Sequence, residues 1–209
     1  MSKAGFGRNR ENLNLTEGNI VRLLISFSIP LLLGNLFQQF YNIVDTWVVG
    51  NFVSNEAFSA VGTVGPIINT LISLFIGFSS GAGVVISQYF GAGKEEQAQR
   101  TVHTAFVMTL GFMAMITAVG ILFRDAFLHL MNTPVNVMPE ARTYLMIFFA
   151  GIGGMMFYNI GAATLQAIGD SRRPFYYLAT ATVINIIGDL VLVIVFHMGG
   201  AGVALATIL

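Results

Sequence analysis

Long apolar stretches separated by short polar segments dominate the pattern of the chain. A helix that crosses a bilayer needs about 20 predominantly apolar residues. The pattern predicts spanning helices at about residues 20–50, 57–90, 98–123, 141–168 and 175–197, and an incomplete sixth at 199–209. Because half a span leaves carbonyl groups unsatisfied in lipid, we expect the sequence to be truncated within the sixth helix.

The composition also indicates a membrane protein. Of 209 residues, 55% are hydrophobic and 10% are charged, whereas soluble domains average about 25% charged residues. The net charge is zero, which gives no sign of a nucleic-acid partner, and the absence of cysteine excludes disulfides and thiolate metal sites. No glycine-rich phosphate loop and no nucleophile–base arrangement is evident. We therefore expect a protein that is not an enzyme and that uses neither ATP nor a cofactor.

Lysine and arginine are distributed unequally between the two sides of the predicted bundle. One side has the following eight: Lys3, Arg8, Arg10, Arg22, Lys94, Arg100, Arg172 and Arg173. The other side has only Arg124 and Arg142. Because basic loops stay in the cytoplasm, this asymmetry predicts a cytoplasmic N-terminus, with residues 1–19 as a polar cytoplasmic tail.

Two carboxylates, Asp45 and Asp189, fall inside predicted spans, and no basic residue at membrane depth neutralises them. A charge in hydrocarbon costs at least several kcal/mol, so it is usually functional. Asp45 lies about five residues from the outer end of its span. Asp189 and Thr207 each lie about eight residues, or about 12 Å, from the outer ends of theirs. All three should therefore lie in the outer half of the membrane, at a similar depth.

The helical faces of these residues also agree. Asn185 and Asp189 are four residues apart and lie on one face. The first span has a polar stripe with Tyr41 beside it: Asn35, Gln38, Asn42 and Asp45. Such a stripe should face the bundle interior or a wet cavity. The alternative for the amides is interhelical hydrogen bonding that only holds the bundle together.

This group of side chains could bind a cation in two ways. Desolvation and a second acid nearby both favour the neutral form of a carboxyl group, so the pair could take up and release a proton. Oxygens of Asn185 and Thr207 could instead complete an oxygen cage for Na⁺, since hard cations prefer such ligands. The residues do not decide between H⁺ and Na⁺.

Five segments in this order and spacing resemble the N-terminal half of MATE (multidrug and toxic compound extrusion) transporters, in the DinF-like and related bacterial drug-export branch. The segments are LTEGNIVRLLISFSIPLLL (15–33), QQFYNIVDTWVVG (38–50), SQYFGAGKEEQA (87–98), LQAIGDSRRPFYYL (165–178) and GGAGVALAT (199–207). The resemblance implies an all-α polytopic protein of the bacterial inner (plasma) membrane. This chain would be most of the N-terminal six-helix bundle of a twelve-helix fold, and its partner would be the missing C-terminal six-helix bundle.

The resemblance also implies a function: secondary active export of bulky, often cationic and aromatic drugs or metabolites in exchange for H⁺ or Na⁺, with no resident metal. The positions that match the family's cation-coupling site are Asp45, Asn185, Asp189 and Thr207. Gln38 and Tyr41 match positions that line the substrate cavity. Pro30 would allow the first helix to bend when the site is loaded.

Two alternatives stay open from the sequence. A flippase for lipid-linked sugars belongs to the same superfamily, but it would favour a cationic cavity for pyrophosphate, and no lysine or arginine lies at membrane depth. The other alternative is a membrane scaffold or fragment that transports nothing. In either case, we expect Trp47 and Tyr144 to anchor the bundle at the membrane interface. We expect the Gly77-x-x-x-Gly81 pair to allow close packing within the bundle, and the alternative for this pair is a dimer face.

Overall fold

The computed structural model describes residues 20–208, which are almost entirely helical. The helices are α1 (Ile20–Phe52), α2 (Asn55–Gly91), α3 (Glu95–Leu130), α4 (Met138–Ala167), α5 (Arg172–Asp189) and α6 (Gly199–Ile208). A π-helical segment, Leu190–Val195, continues α5. Among the described residues, five helical stretches are long and apolar enough to cross a membrane, and the fifth runs through α5 and the π segment to Val195. The all-α polytopic fold predicted from the sequence is therefore confirmed. The predicted tail, residues 1–19, and Leu209 lie outside the described residues.

Local sequence signals explain where several helices begin and end. Ser54 caps α2, because its hydroxyl accepts a hydrogen bond from the backbone N–H of Ala57 at 3.2 Å. Asp170 caps α5, because its Oδ1 accepts the backbone N–H groups of Arg172 and Arg173, each at 3.1 Å. Gly169, with a φ of +89°, makes the turn between α4 and α5 in a conformation that few other residues adopt.

Helix α4 lies at the centre of the bundle. It packs against α2, α3 and α6, whereas α1 packs chiefly against α5. Glycines on α3 and α4 make this close packing possible. A Cβ atom at Gly120 would overlap the Phe149 ring, and one at Gly151 would overlap the Ile208 side chain. These contacts hold α3 and α6 against α4.

The expectation that Gly77 and Gly81 allow close packing within the bundle is wrong. Within residues 20–208, no other part of the protein comes within 4 Å of a Cβ atom built at either glycine. Instead, α2 and α3 meet at an aromatic cluster of Phe75, Phe78 and Phe112, whose ring centroids are 5.2–6.3 Å apart. The rings hold the helices apart, and the two glycines line an open groove between them.

The fifth span also differs from expectation, since the apolar pattern predicts one continuous helix over 175–197. In the structure, α-helical bonding ends at Asp189 and a wider turn follows, in which the N–H of Phe196 donates to the carbonyl of Val191 at 3.0 Å. Hydrophobicity does not distinguish these helix types, so the sequence carries no signal for the change. π-Helical turns frequently occur at functional sites, and this one begins directly after the buried acid.

Pro30 lies inside α1, which continues as one helix from Ile20 to Phe52. The hydroxyl of Thr70 in α2 donates to the carbonyl of the second intrahelical proline, Pro66, at 2.8 Å. The proposed bend of α1 near Pro30 stays a prediction.

Candidate cation site

The side chains that the sequence places at one depth come together where α1, α4, α5 and α6 meet. Asp189, the last residue of α5, is fully buried, and Asn185 lies one turn earlier and is buried as well. Asp45 of α1 and Thr207 of α6 are half-buried. The Asp45 and Asp189 carboxylates are close enough to interact electrostatically.

The oxygen atoms of this site lack protein partners. Among the described residues, no group donates a hydrogen bond to Oδ1 of Asp45, Oδ1 of Asn185 or either carboxylate oxygen of Asp189, although all four atoms are buried. Buried polar atoms almost always have a partner, because leaving one unsatisfied costs about 1–3 kcal/mol. These four oxygens lie on α1 and on α5, the helix that packs against it, and each could accept a proton or coordinate a metal cation.

Thr207 can contribute an oxygen to this group. Its hydroxyl donates to the backbone carbonyl of Val203 at 2.9 Å. Because this bond uses the only hydroxyl hydrogen, Oγ1 acts only as an acceptor toward its other neighbours, which can be a cation or the hydroxyls of Tyr41 and Tyr144. The donor set is therefore two carboxylates, one amide oxygen and one hydroxyl oxygen, which suits a hard cation better than a soft one.

Two tyrosines complete the surroundings of the site. The side chains of Tyr41 in α1 and Tyr144 in α4 both interact electrostatically with Asp45 and Asp189, and both hydroxyls lie beside that of Thr207. The expectation that Tyr144 anchors the bundle at the membrane interface is wrong, since its side chain is only 5% exposed. One signal could have indicated this: Tyr144, Phe148 and Ile152 recur every four residues and form the buried face of α4.

The polar stripe on α1 divides into two parts. Tyr41 and Asp45 face the site, whereas the following residues are exposed in the described part of the chain: Asn35, Gln38 and Asn42. The Asn42 amide donates to Gln39 on the same helix at 3.3 Å. Within residues 20–208, none of the three amides bonds to another helix, so hydrogen bonds between the described helices do not account for the stripe. The structure therefore leaves Gln38 outside the cation site, on an open surface of α1.

Comparisons with known proteins agree with this architecture. The MatE family model matches residues 30–191. The probable multidrug resistance protein YpnP of Bacillus subtilis is 32% identical over 94% of this chain and 44% of its own length. A protein of Shewanella oneidensis named as an FAD transporter is 25% identical over 88% of this chain and 40% of its own length.

A solved structure shares the fold. It is described as the outward-facing conformation of a multidrug resistance MATE family transporter of the MOP superfamily. It superimposes with a TM-score of 0.90 at 24% identity, over 97% of this chain and 45% of the other. This chain thus spans less than half the length of the relatives it matches. The family match and the superposition lead to one conclusion: the chain belongs to the MatE family of MATE transporters, and its helices form the N-terminal half of that fold.

Proposed function

We propose that this protein is a secondary active transporter that exports bulky cationic or aromatic compounds in exchange for H⁺ or Na⁺. The observation that carries the proposal is the group of four buried oxygens without protein partners, on Asp45, Asn185 and Asp189. A structural polar cluster would satisfy its own members. A cluster that binds and releases a cation during each transport cycle must leave its oxygens available.

The geometry suggests how binding of an ion would move the protein. Asp45 lies on α1, whereas Asp189 and Asn185 lie on α5, the helix against which α1 chiefly packs. When both acids are ionised, their repulsion favours separation of α1 from α5, and a bound cation removes this repulsion. The position of α1 relative to α5 would then depend on the ion, and Pro30 would give α1 the freedom to bend.

The substrate cavity would lie along the open surface of α1. Gln38 is exposed there, and Tyr41 connects this surface with the acids. No lysine or arginine lies in the middle of a described helix, so the local field favours cationic compounds over anions. The names of two relatives suggest two contrasting test substrates. The multidrug resistance protein suggests an ethidium-like cationic dye, and the FAD transporter suggests a bulky anion.

Two other functions make different predictions. A flippase for lipid-linked sugars would need cations for the pyrophosphate, which the described helices lack at mid-depth. A scaffold would tolerate neutral residues at positions 45 and 189.

We propose the bacterial inner membrane as the location, with a cytoplasmic N-terminus. The second six-helix bundle, which the longer relatives have room for, would be the partner of this one.

Dye efflux in everted membrane vesicles tests the function, with the protein expressed from its native gene. An imposed pH or Na⁺ gradient should drive ethidium transport by the wild type, and Asp189→Asn and Asp45→Asn should each abolish it at normal expression. The matched control is Asp125→Asn, because that acid pairs with Arg142 at 2.8 Å on the bundle surface. If both site variants transport like the wild type, the carboxylates are structural and the proposed function is wrong.

A further inference from the structure

Helices α5 and α6 approach each other unusually closely next to the candidate cation site. A Cβ atom at Gly188 would lie 3.2 Å from the Cβ of Ala206 and 3.6 Å from its Cα. A Cβ atom at Gly202 would lie 3.2 Å from the carbonyl carbon of Leu192. We call these two pairs, Gly188–Ala206 and Leu192–Gly202, the α5–α6 contact.

The two pairs have the spacing expected for antiparallel packing. One helical turn of four residues separates Gly188 from Leu192 on α5 and its π continuation, and the same spacing separates Gly202 from Ala206 on α6. Residues four apart lie on the same helix face. The contact therefore extends over a full turn of both helices, and small residues bring the backbones together at each end of it.

The α5–α6 contact has a direct geometric relation to the site. Asp189 follows Gly188, and Thr207 follows Ala206. Two antiparallel helices in contact are related by a local two-fold axis, so the residues that follow the contact residues project on the same side of the pair. The carboxylate and the hydroxyl therefore converge on one space, and Asn185 projects there as well, because it lies one turn before Asp189.

We propose that Gly188 is a positioning residue for the coupling cation: the absence of a side chain there sets the distance between the oxygens of α5 and the Thr207 hydroxyl of α6. The inference rests on the proposed function, because it concerns the same cation site. Gly188 itself offers the cation no oxygen from a side chain. Its effect comes only through the approach of the two helices.

A methyl group at position 188 would change this distance by a predictable amount. Ordinary contact between carbon atoms begins at about 3.5 Å, so the contact with Ala206 at 3.2 Å would have to open by a few tenths of an ångström. Neither group is the flexible end of a side chain, so the helices themselves must move. Thr207 would then retreat from Asp189, while Gln38 on α1 would keep its position.

The experiment measures the apparent KM for the coupling ion separately from the apparent KM for ethidium, in the same everted vesicles. Gly188→Ala should raise the KM for the ion severalfold, since misplacing a binding group by about 1 Å can cost about a hundredfold and the shift here is a few tenths of an ångström. The KM for ethidium should stay at the wild-type value. The matched control is Gly161→Ala, because nothing comes within 4 Å of a Cβ atom built there.

A second substitution tests whether the helix distance is the cause. Ala206→Gly removes the methyl group that the new side chain would meet, so the double variant Gly188→Ala/Ala206→Gly should recover most of the wild-type KM for the ion. If Gly188→Ala does not insert at the wild-type level, Ala206→Ser enlarges the same contact from α6 and should raise the KM in the same direction.

Two results would overturn the inference. One is a wild-type KM for the ion in the well-expressed Gly188→Ala or Ala206→Ser variant. The other is a raised KM that Ala206→Gly does not restore. The proposed function is tested by a different variant, and it is wrong if Asp189→Asn still transports ethidium. If Asp189→Asn is inactive while Gly188→Ala behaves as the wild type, only the positioning role of Gly188 is wrong.

Discussion

Neutralising Asp189 should make the bundle more stable while it abolishes transport. The residue is fully buried, and within residues 20–208 neither carboxylate oxygen accepts a hydrogen bond. A buried polar group without partners costs about 1–3 kcal/mol, and a charged one costs more. Asn has the same shape but no charge, so Asp189→Asn should recover about 1–2 kcal/mol of this cost.

The assay is thermal unfolding of the purified protein in detergent at pH 8, without added Na⁺. For proteins of 150–250 residues, each kcal/mol shifts Tm by about 2–4 °C, so in the 209-residue chain Asp189→Asn should raise Tm by roughly 2–8 °C. Dye transport by the same variant should be lost. Stability and transport would then change in opposite directions. This trade-off is expected where a site keeps buried polar groups without partners so that they can bind a ligand.

The chain offers a matched control at another buried acid. Asp170 is 8% exposed, but its carboxylate accepts two backbone N–H groups at the start of α5 and lies 3.2 Å from Nε of Arg173. Asp170→Asn loses these charge-assisted interactions, so it should lower stability by about 1 kcal/mol. If Asp189→Asn lowers Tm as Asp170→Asn does, the carboxylate of Asp189 has protein partners and the reasoning is refuted.

Three further predictions follow from the packing, the site and the charge pattern. Gly120→Ala should destabilise the bundle by about 1–3 kcal/mol, measured by the same thermal unfolding, because the methyl group would overlap the Phe149 ring; an unchanged Tm would contradict the packing of α3 on α4. Tyr144→Phe should raise the apparent KM for the coupling ion severalfold at normal expression, because it removes the hydroxyl beside Thr207. A wild-type KM for the ion would mean that Tyr144 contributes only to packing. The 209 residues contain no cysteine, so a single cysteine introduced here can be labelled in intact cells with a membrane-impermeant thiol reagent. Val135→Cys, at a 90% exposed position, should react from outside, whereas Lys94→Cys should not. The reverse labelling pattern would contradict a cytoplasmic N-terminus.

The sequence predicts the number and order of the helices well, because membrane spans depend on hydrophobicity summed over about 20 residues. It also predicts that Asp45, Asn185, Asp189 and Thr207 share a depth and a face, because depth and face follow from helical rise and periodicity. In the structure Asp45 and Asp189 interact electrostatically, and Tyr41 lies beside both acids and Thr207, which agrees with that reasoning for these three residues. Their role in ion coupling stays a prediction.

Features that depend on the distance between two helices could not be predicted in this way. The burial of Tyr144 depends on where α4 sits in the bundle, and an aromatic residue near a helix end fits both an interface and a core. The openness of Gly77 and Gly81 depends on three phenylalanine rings that hold α2 and α3 apart. The π turn after Asp189 has no compositional signal, and the structure shows it through the hydrogen bond from the N–H of Phe196 to the carbonyl of Val191.

Ion movement driven by a dye gradient tests the central claim most directly. The protein from its native gene would be reconstituted in liposomes, an ethidium gradient imposed, and the opposing movement of H⁺ or Na⁺ recorded with an ion-sensitive fluorophore. We expect the wild type to move one of these ions against the dye, and Asp189→Asn to move none. Equal ion movement by the two proteins, or dye transport by the wild type without any ion movement, would contradict a cation site at Asp189 that couples ion binding to export.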